Sequence, residues 1–201
     1  MQLLKQLYAI HSPSGKEQRM RNYLIRWIRR HIPEATITTD PIGNIYVTKG
    51  ESFSFPCIVS HIDQVQKTHS TDFQAVETRD IIFGYSSKNK RQEGLGADDK
   101  NGIWICLQCL KRYPIIKAAF FVQEETGCIG SQNADLSFFG DARFVLQSDR
   151  RGSSDIITSI WGDLCSESFL AAIDYPAYHY KPTHGLPTDV GTLKEKGLNV
   201  S

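Results

Sequence analysis

Apolar side chains recur at helical spacing in two stretches near the start of the chain: Leu3, Leu4 and Leu7 within residues 2–10, then Met20, Tyr23, Leu24, Trp27 and Ile28 within residues 16–31. The turn-rich His11-Ser12-Pro13-Ser14-Gly15 separates them, so the pattern predicts two amphipathic helices. Thr36–Thr39 and Asn44–Thr48 flank an Asp-Pro-Ile-Gly turn signal and read as paired strands, and Pro56–Ser60 is a short apolar strand that runs straight into polar residues. Alternation from Phe73 to Tyr85 predicts a hairpin, and the polar stretch from Ser86 to Gly96 reads as a loop. Then come a helix over Asp99–Arg112, a buried strand over Ala118–Gln123, a short helix or loop over Gly127–Asp135, strands over Ala142–Gln147 and Asp155–Ile160, and a helix over Ser166–Ile173. Strands interleaved with helices predict an α/β fold: a three-layer α/β/α sandwich around a mixed, mostly parallel central sheet.

At 201 residues and 40% hydrophobic content, the chain has the size and composition of one compact domain, residues 1–201. Lys and Arg number 23 against 22 Asp and Glu, and a net charge of +1 makes no field for a polyanion. That argues against nucleic acid and suits a small neutral or zwitterionic substrate. The N-terminus lacks a signal-peptide pattern, and no run approaches the ~18 apolar residues of a membrane span, so a cytoplasmic protein without membrane contact is expected. Five cysteines in apolar segments fit reduced thiols in a reducing compartment. Cys106-Leu107-Gln108-Cys109 has metal-site spacing but no second pair and a mid-helix position, so both thiols are read as core. Ser153 and Ser154 lack a nucleophile-elbow setting. The cluster Tyr175, Tyr178, His179, Tyr180 reads either as a substrate wall or as cover for a sheet edge.

The chemistry gathers where apolar runs end. Ser60 is followed by His61-Ile62-Asp63, Ala97 by Asp98-Asp99, Gln123 by Glu124-Glu125, and Gln147 by Ser148-Asp149. In an open α/β sheet the carboxyl ends of strands converge on one crevice, so these groups are expected to meet. Several carboxylates and one imidazole in a crevice repel one another unless a cation sits among them. Mixed nitrogen and oxygen donors suit zinc, with cobalt or manganese as substitutes, and the excess of carboxylates allows a pair of ions bridged by one Asp. The i, i+2 spacing of His61 and Asp63 lets Asp63 accept a hydrogen bond from the imidazole and fix its tautomer. Were the strand to continue, Glu124 and Glu125 would point oppositely, one to a metal and the other to an attacking water as general base. Singly, each pair is an ordinary turn, helix start or surface feature; order and spacing along one chain distinguish them.

Ser60-His61-Ile62-Asp63-Gln64-Val65, Leu95-Gly96-Ala97-Asp98-Asp99-Lys100-Asn101-Gly102, Gln123-Glu124-Glu125-Thr126-Gly127 and Gln147-Ser148-Asp149 resemble, in order, the motifs of the co-catalytic zinc exopeptidases, which include peptidase T, carboxypeptidase G, the aminoacylases and the lidless aminopeptidases. Ser12–Glu17, Asp40–Asn44 and Gly185–Asp189 extend the likeness over nearly the whole chain. The resemblance implies that Asp98 bridges two zinc ions, that His61 and Asp149 complete one and Glu125 binds the other, that Asp63 orients His61, that Glu124 is the general base and that the Asp98–Asp99 peptide is cis. It implies an exopeptidase of aminopeptidase or tripeptidase type acting on short peptides, with a deacylase, a dipeptidase or a catalytically incomplete metal-binding homologue as alternatives.

Family members with a lid insert ~100 residues, a small domain, after the ligand matching Asp149. Here Arg150–Thr183 reads as only a strand, a helix and a loop, as in lidless aminopeptidases, which often form homo-oligomers. The family's last ligand is a His after a strand like the one that Leu198-Asn199-Val200 begins. The expectation is a C-terminally truncated chain, with an incomplete site or substitution by His184 as the alternatives.

Overall fold

The computed structural model describes residues 1–198; the strand expected at Leu198-Asn199-Val200 therefore falls largely outside the described residues. In chain order the elements are α1 (Gln2–Tyr8), α2 (Gln18–His31), β1 (Thr36–Thr39), β2 (Ile45–Lys49), β3 (Phe55–His61), β4 (Phe73–Glu77), β5 (Ile82–Ser86), β6 (Arg91–Glu93), α3 (Ala97–Arg112), β7 (Ile116–Phe121), α4 (Ile129–Gln132), β8 (Ala142–Gln147), β9 (Asp155–Ser159), α5 (Glu167–Ala172), β10 (Lys181–His184) and α6 (Asp189–Glu195). Short 3-10 turns cover Glu124–Thr126, Leu136–Phe139 and Tyr175–Tyr178.

Five strands form the central sheet in the order β1-β2-β7-β3-β8. The β1–β2 and β2–β7 ladders are antiparallel, and β7–β3 and β3–β8 are parallel. All six residues of β7 are buried, as a strand covered on both faces requires. Its alternate side chains divide the core: Ala118 and Phe120 pack with Ile45 and Val47 against Leu7, Met20, Leu24, Ile28, Ile103 and Leu107 of α1, α2 and α3. Ala119 and Phe121 pack with Tyr46, Cys57, Val59 and Val145 against Phe139 and Leu193 on the other face. This is the expected α/β sandwich.

The α2 stripe Met20, Leu24, Ile28 is the i, i+4 ridge that the sequence displays, and Arg29, Arg30 and His31 in its last turn complement the helix dipole. Cys106 is fully buried in α3, and Cys109 half-buried beside the same core.

Three local expectations need correction. The stretch read as a loop after Tyr85 contains β6, which pairs with β5, because backbone pairing supplies partners that side-chain pattern does not signal. The segment after Arg150 holds, besides β9 and α5, a 3-10 turn and the strand β10, which pairs parallel with β9. The strand ending in the Glu-Glu pair stops at Phe121: Gln123 has φ 54°, and Glu124–Thr126 is a 3-10 turn, so the two glutamates are not on opposite faces of a strand. The backbone N–H of Gln123 donates to Glu17 Oε1 at 3.2 Å, a long-range contact that holds this reversal.

Candidate metal centre and active site

The parallel strands bring three of the motifs to one edge. His61 closes β3 opposite Phe121 of β7, while Val59 lies opposite Gln147, the last residue of β8. The chain leaving each strand therefore starts at the same level, which is the crevice at the carboxyl ends. Asp98 arrives from the start of α3, where Asp98 and Asp99 depart from helical dihedrals and their peptide bond is cis.

His61 is fully buried. Its Nδ1 is 3.2 Å from Asp63 Oδ1, and its Nε2 is 2.9 Å from Asp98 Oδ1, 3.8 Å from Asp149 Oδ2 and 3.9 Å from Glu124 Oε2. Asp63 is an acceptor, so the Nδ1 proton belongs to that contact, and Nε2 turns toward carboxylate oxygens, where either a proton or a metal ion can stand. Two acceptors 2.9 Å apart require a proton or a cation between them. One ligand atom each from His61, Asp98 and Asp149 lies within 4.8 Å of the others, so this group could hold a metal ion. The donor set fits: one imidazole nitrogen and two carboxylates are borderline-metal ligands. Among the described residues no lysine or arginine pairs with Asp63, Asp98, Asp99, Glu124, Glu125, Asp149 or Asp189.

Asp63, also fully buried, anchors this arrangement by accepting four hydrogen bonds: from His61, from Ser14 Oγ at 2.6 Å, and from the backbone N–H groups of Glu124 and Glu125 at 2.9 and 3.2 Å. The Ser12–Glu17 segment thus reaches the site through Ser14, while Glu17 accepts from Gly15 and Gln123. Asp99 turns away from the cleft: its carboxylate accepts from Ser60 Oγ at 2.7 Å and from the N–H of Gly102 at 2.9 Å. A Cβ at Gly102 would stand 2.3 Å from those oxygens, so only glycine fits there.

Burial works to lower the charge on His61, but Asp63 and Asp98 hold its pKa well above the usual imidazole value. His61 in turn holds Asp98 below the ordinary carboxylate range. Desolvation pushes Glu124 up to about 6, and Glu125, Asp149 and Asp189 each up to about 7, with neighbouring carboxylates adding to the effect. The crevice is thus short of positive charge.

Glu125 stands outside the three-residue group; after burial, the charge of Asp98 acts on it most strongly. His184 lies on β10 with its Nδ1 3.2 Å from Ser159 Oγ, also outside that group. Two residues not assigned a role from the sequence join the site: Asp189, fully buried at the start of α6, and Gln147, whose amide contacts both Asp189 and Asp149. The only prior signal was their place beside motif residues. Lys100 is buried too, but bonds to the Ile10 carbonyl at 2.7 Å and Gln64 Oε1 at 2.5 Å, and burial pushes it down to about 7. Asp149 also borders a cavity of about 790 Å³ lined by Phe144, Ile157, Phe169, Tyr175, Tyr178 and Tyr180 among others. The tyrosine cluster therefore forms an apolar wall next to the carboxylates, with His179 outside it.

No protein-family profile matches the sequence, and no curated protein does. Solved structures do share the fold, several peptidases among them. The Pyrococcus horikoshii TET1 peptidase, which can assemble into a tetrahedron or a large octahedral shell, aligns over 97% of this chain and 87% of its own at 15% identity and a TM-score of 0.65. A tripeptidase from Staphylococcus aureus aligns over 79% of this chain and 45% of its own at 21% identity and a TM-score of 0.63. Aminoacylhistidine dipeptidase from Vibrio alginolyticus aligns over 78% and 34%, at 21% identity and a TM-score of 0.63. The chain spans less than half of the last two, and at these identities the likeness is one of fold. No helix among the described residues is long and apolar enough to cross a membrane.

Proposed function

We propose that the chain is a zinc-dependent exopeptidase of aminopeptidase or tripeptidase type that hydrolyses short peptides. The observation that carries this reading is His61 Nε2, buried and facing the carboxylates of Asp98, Asp149 and Glu124 at the carboxyl ends of the parallel strands. His61, Asp98 and Asp149 would hold the ion, with cobalt or manganese able to replace zinc, and Glu125 would serve a second one beside Asp98. Such an ion supplies Lewis acidity toward the scissile carbonyl and an attacking water.

Glu124 does the proton work. Its carboxylate is largely screened from solvent, and burial raises it to about 6, basic enough to take a proton from water and acidic enough to return it to the leaving amine. Asp63 keeps the proton of His61 on Nδ1 and, through the backbone N–H groups of Glu124 and Glu125, keeps both glutamates at the mouth of the crevice. The aromatic trough beside Asp149 offers apolar contact to the side chains of a bound peptide. Copies of the chain are proposed to assemble into a homo-oligomer, as the TET1 peptidase does.

A second reading, a metal-binding homologue without turnover, draws on the position of Glu125 outside the three-residue group. Glu124→Ala separates the two. Under the first reading a panel of aminoacyl amides and tripeptides is cleaved by the parent, and the variant loses roughly 100-fold or more in kcat at unchanged zinc content. Zinc bound without cleavage of any panel member by the parent would favour the second.

A further inference from the structure

Gln147 ends β8, the edge strand of the central sheet, with its side chain on the α6 face beside Val145. Its amide is oriented without ambiguity. Gln147 Oε1 accepts the backbone N–H of Val190 at 3.0 Å, and a backbone N–H can only donate, so the NH2 must occupy the other side. That NH2 has two hydrogens and faces two carboxylates: Asp149 Oδ2 at 3.1 Å and Asp189 Oδ2 at 3.5 Å. The same Asp149 Oδ2 lies 3.8 Å from His61 Nε2. Asp189 is fully buried and takes a hydrogen bond from Ser131 Oγ at 2.6 Å through its other oxygen.

We propose that Gln147 is the positioning residue of the metal centre: a neutral amide clamp that holds the Asp149 carboxylate toward His61 and Asp98 and ties it to the Ser131–Asp189 pair and the start of α6. Chemistry favours an amide at this point. A lysine or arginine would neutralise Asp149 and compete with a cation for it, and a carboxylate would add repulsion. Glutamine instead donates to both acids and leaves their charge in place. The clamp also accounts for Asp189, a buried carboxylate too deep to serve as an exposed ligand, as the second acceptor that fixes the amide plane. The proposal rests on the reading of His61, Asp98 and Asp149 as metal ligands.

The test is calorimetric titration of the metal-free full chain with Zn²⁺ or Mn²⁺, comparing the parent with Gln147→Leu and with Gln147→Met, which keeps the unbranched stem. Loss of a partner that orients a ligand weakens metal binding by roughly 10–100-fold, and that is the expected result for both variants, with thermal unfolding of the metal-free forms within a few degrees of the parent. In the parent, the two side-chain N–H resonances of Gln147 are expected to shift on metal addition, a readout that needs no variant to fold. Parent-like metal affinity in a folded variant, or amide resonances indifferent to metal, would overturn the proposal while leaving the metal centre intact. A parent that binds no metal would instead overturn the reading of the centre itself.

Discussion

The two arms that meet at the crevice are built differently. On the His61 arm, donors from three segments converge on Asp63, which is fully buried and accepts four hydrogen bonds, and His61 sits on a strand paired on both sides. On the Asp149 arm, the carboxylate follows an edge strand, burial pushes its pKa up to about 7, and it accepts a side-chain hydrogen bond from the amide of Gln147. The first arm is a stabilised ionised network; the second is a site of unrelieved negative charge. Their contrast marks where the fold compensates its buried charge and where charge is left uncompensated.

The sharpest way to break that contrast is to remove each carboxylate in turn. Asp63→Ala should cost on the order of 3 kcal/mol in denaturant unfolding and abolish metal binding, because it leaves buried donors without an acceptor. Asp149→Ala should also abolish metal binding, yet leave the metal-free chain within about 1 kcal/mol of the parent, since it removes a charge whose burial was uncompensated. Equal stability losses would dissolve the distinction.

Next in size is the effect of pH on the metal-free chain. Asp149 and Asp189, like Glu124 and Glu125, have folded pKa values of about 6 to 7, above the unfolded value near 4. A raised carboxylate favours the folded state while protonated, so its contribution is present below about pH 4 and is lost as pH rises through about 7. The raised His61 acts in the same direction, its contribution fading above the ordinary imidazole range, whereas the lowered Asp63 and Asp98 act oppositely, losing their contribution below about pH 4. The melting temperature of the metal-free chain should therefore fall by several degrees from about pH 5 to pH 7.5, and added zinc should reverse the fall. A flat profile with and without metal would sink the idea of uncompensated charge.

Ser14→Ala tests the dense arm more gently: losing one hydrogen bond to a buried carboxylate should cost about 1.5 kcal/mol. Smallest of all, Arg150→Ala removes an exposed pair with Asp155 just beyond Asp149 and should change unfolding by less than about 0.5 kcal/mol. A larger loss there would mean that the second arm is braced from its surface side.

Much of this could be read from the chain. The apolar runs ending in His61-Ile62-Asp63 and Gln147-Ser148-Asp149 marked strand ends, and a parallel arrangement of such strands necessarily puts their carboxyl ends together. The i, i+2 relation of His61 and Asp63 was legible for the same reason, since backbone geometry alone sets it. The direction of Glu124 and Glu125 was not, because the chain reverses at Gln123 under the pull of Glu17, 106 residues earlier. Nor was the clamp at Gln147, whose partners Asp189 and Val190 are 42 and 43 residues away.

The sequence by itself determined the α/β layering, through residue periodicity, and the inventory of one imidazole and several carboxylates placed at element ends, through the order of its motifs. Only the tertiary structure decided which of those acids share the space around His61 Nε2, which turn inward as Asp99 does toward Ser60, and which are left without a positive partner. Periodicity is a property of neighbours along the chain and is written locally. Charge compensation is a sum over side chains brought within a few ångströms by strand order, and that sum has no value until the sheet is assembled.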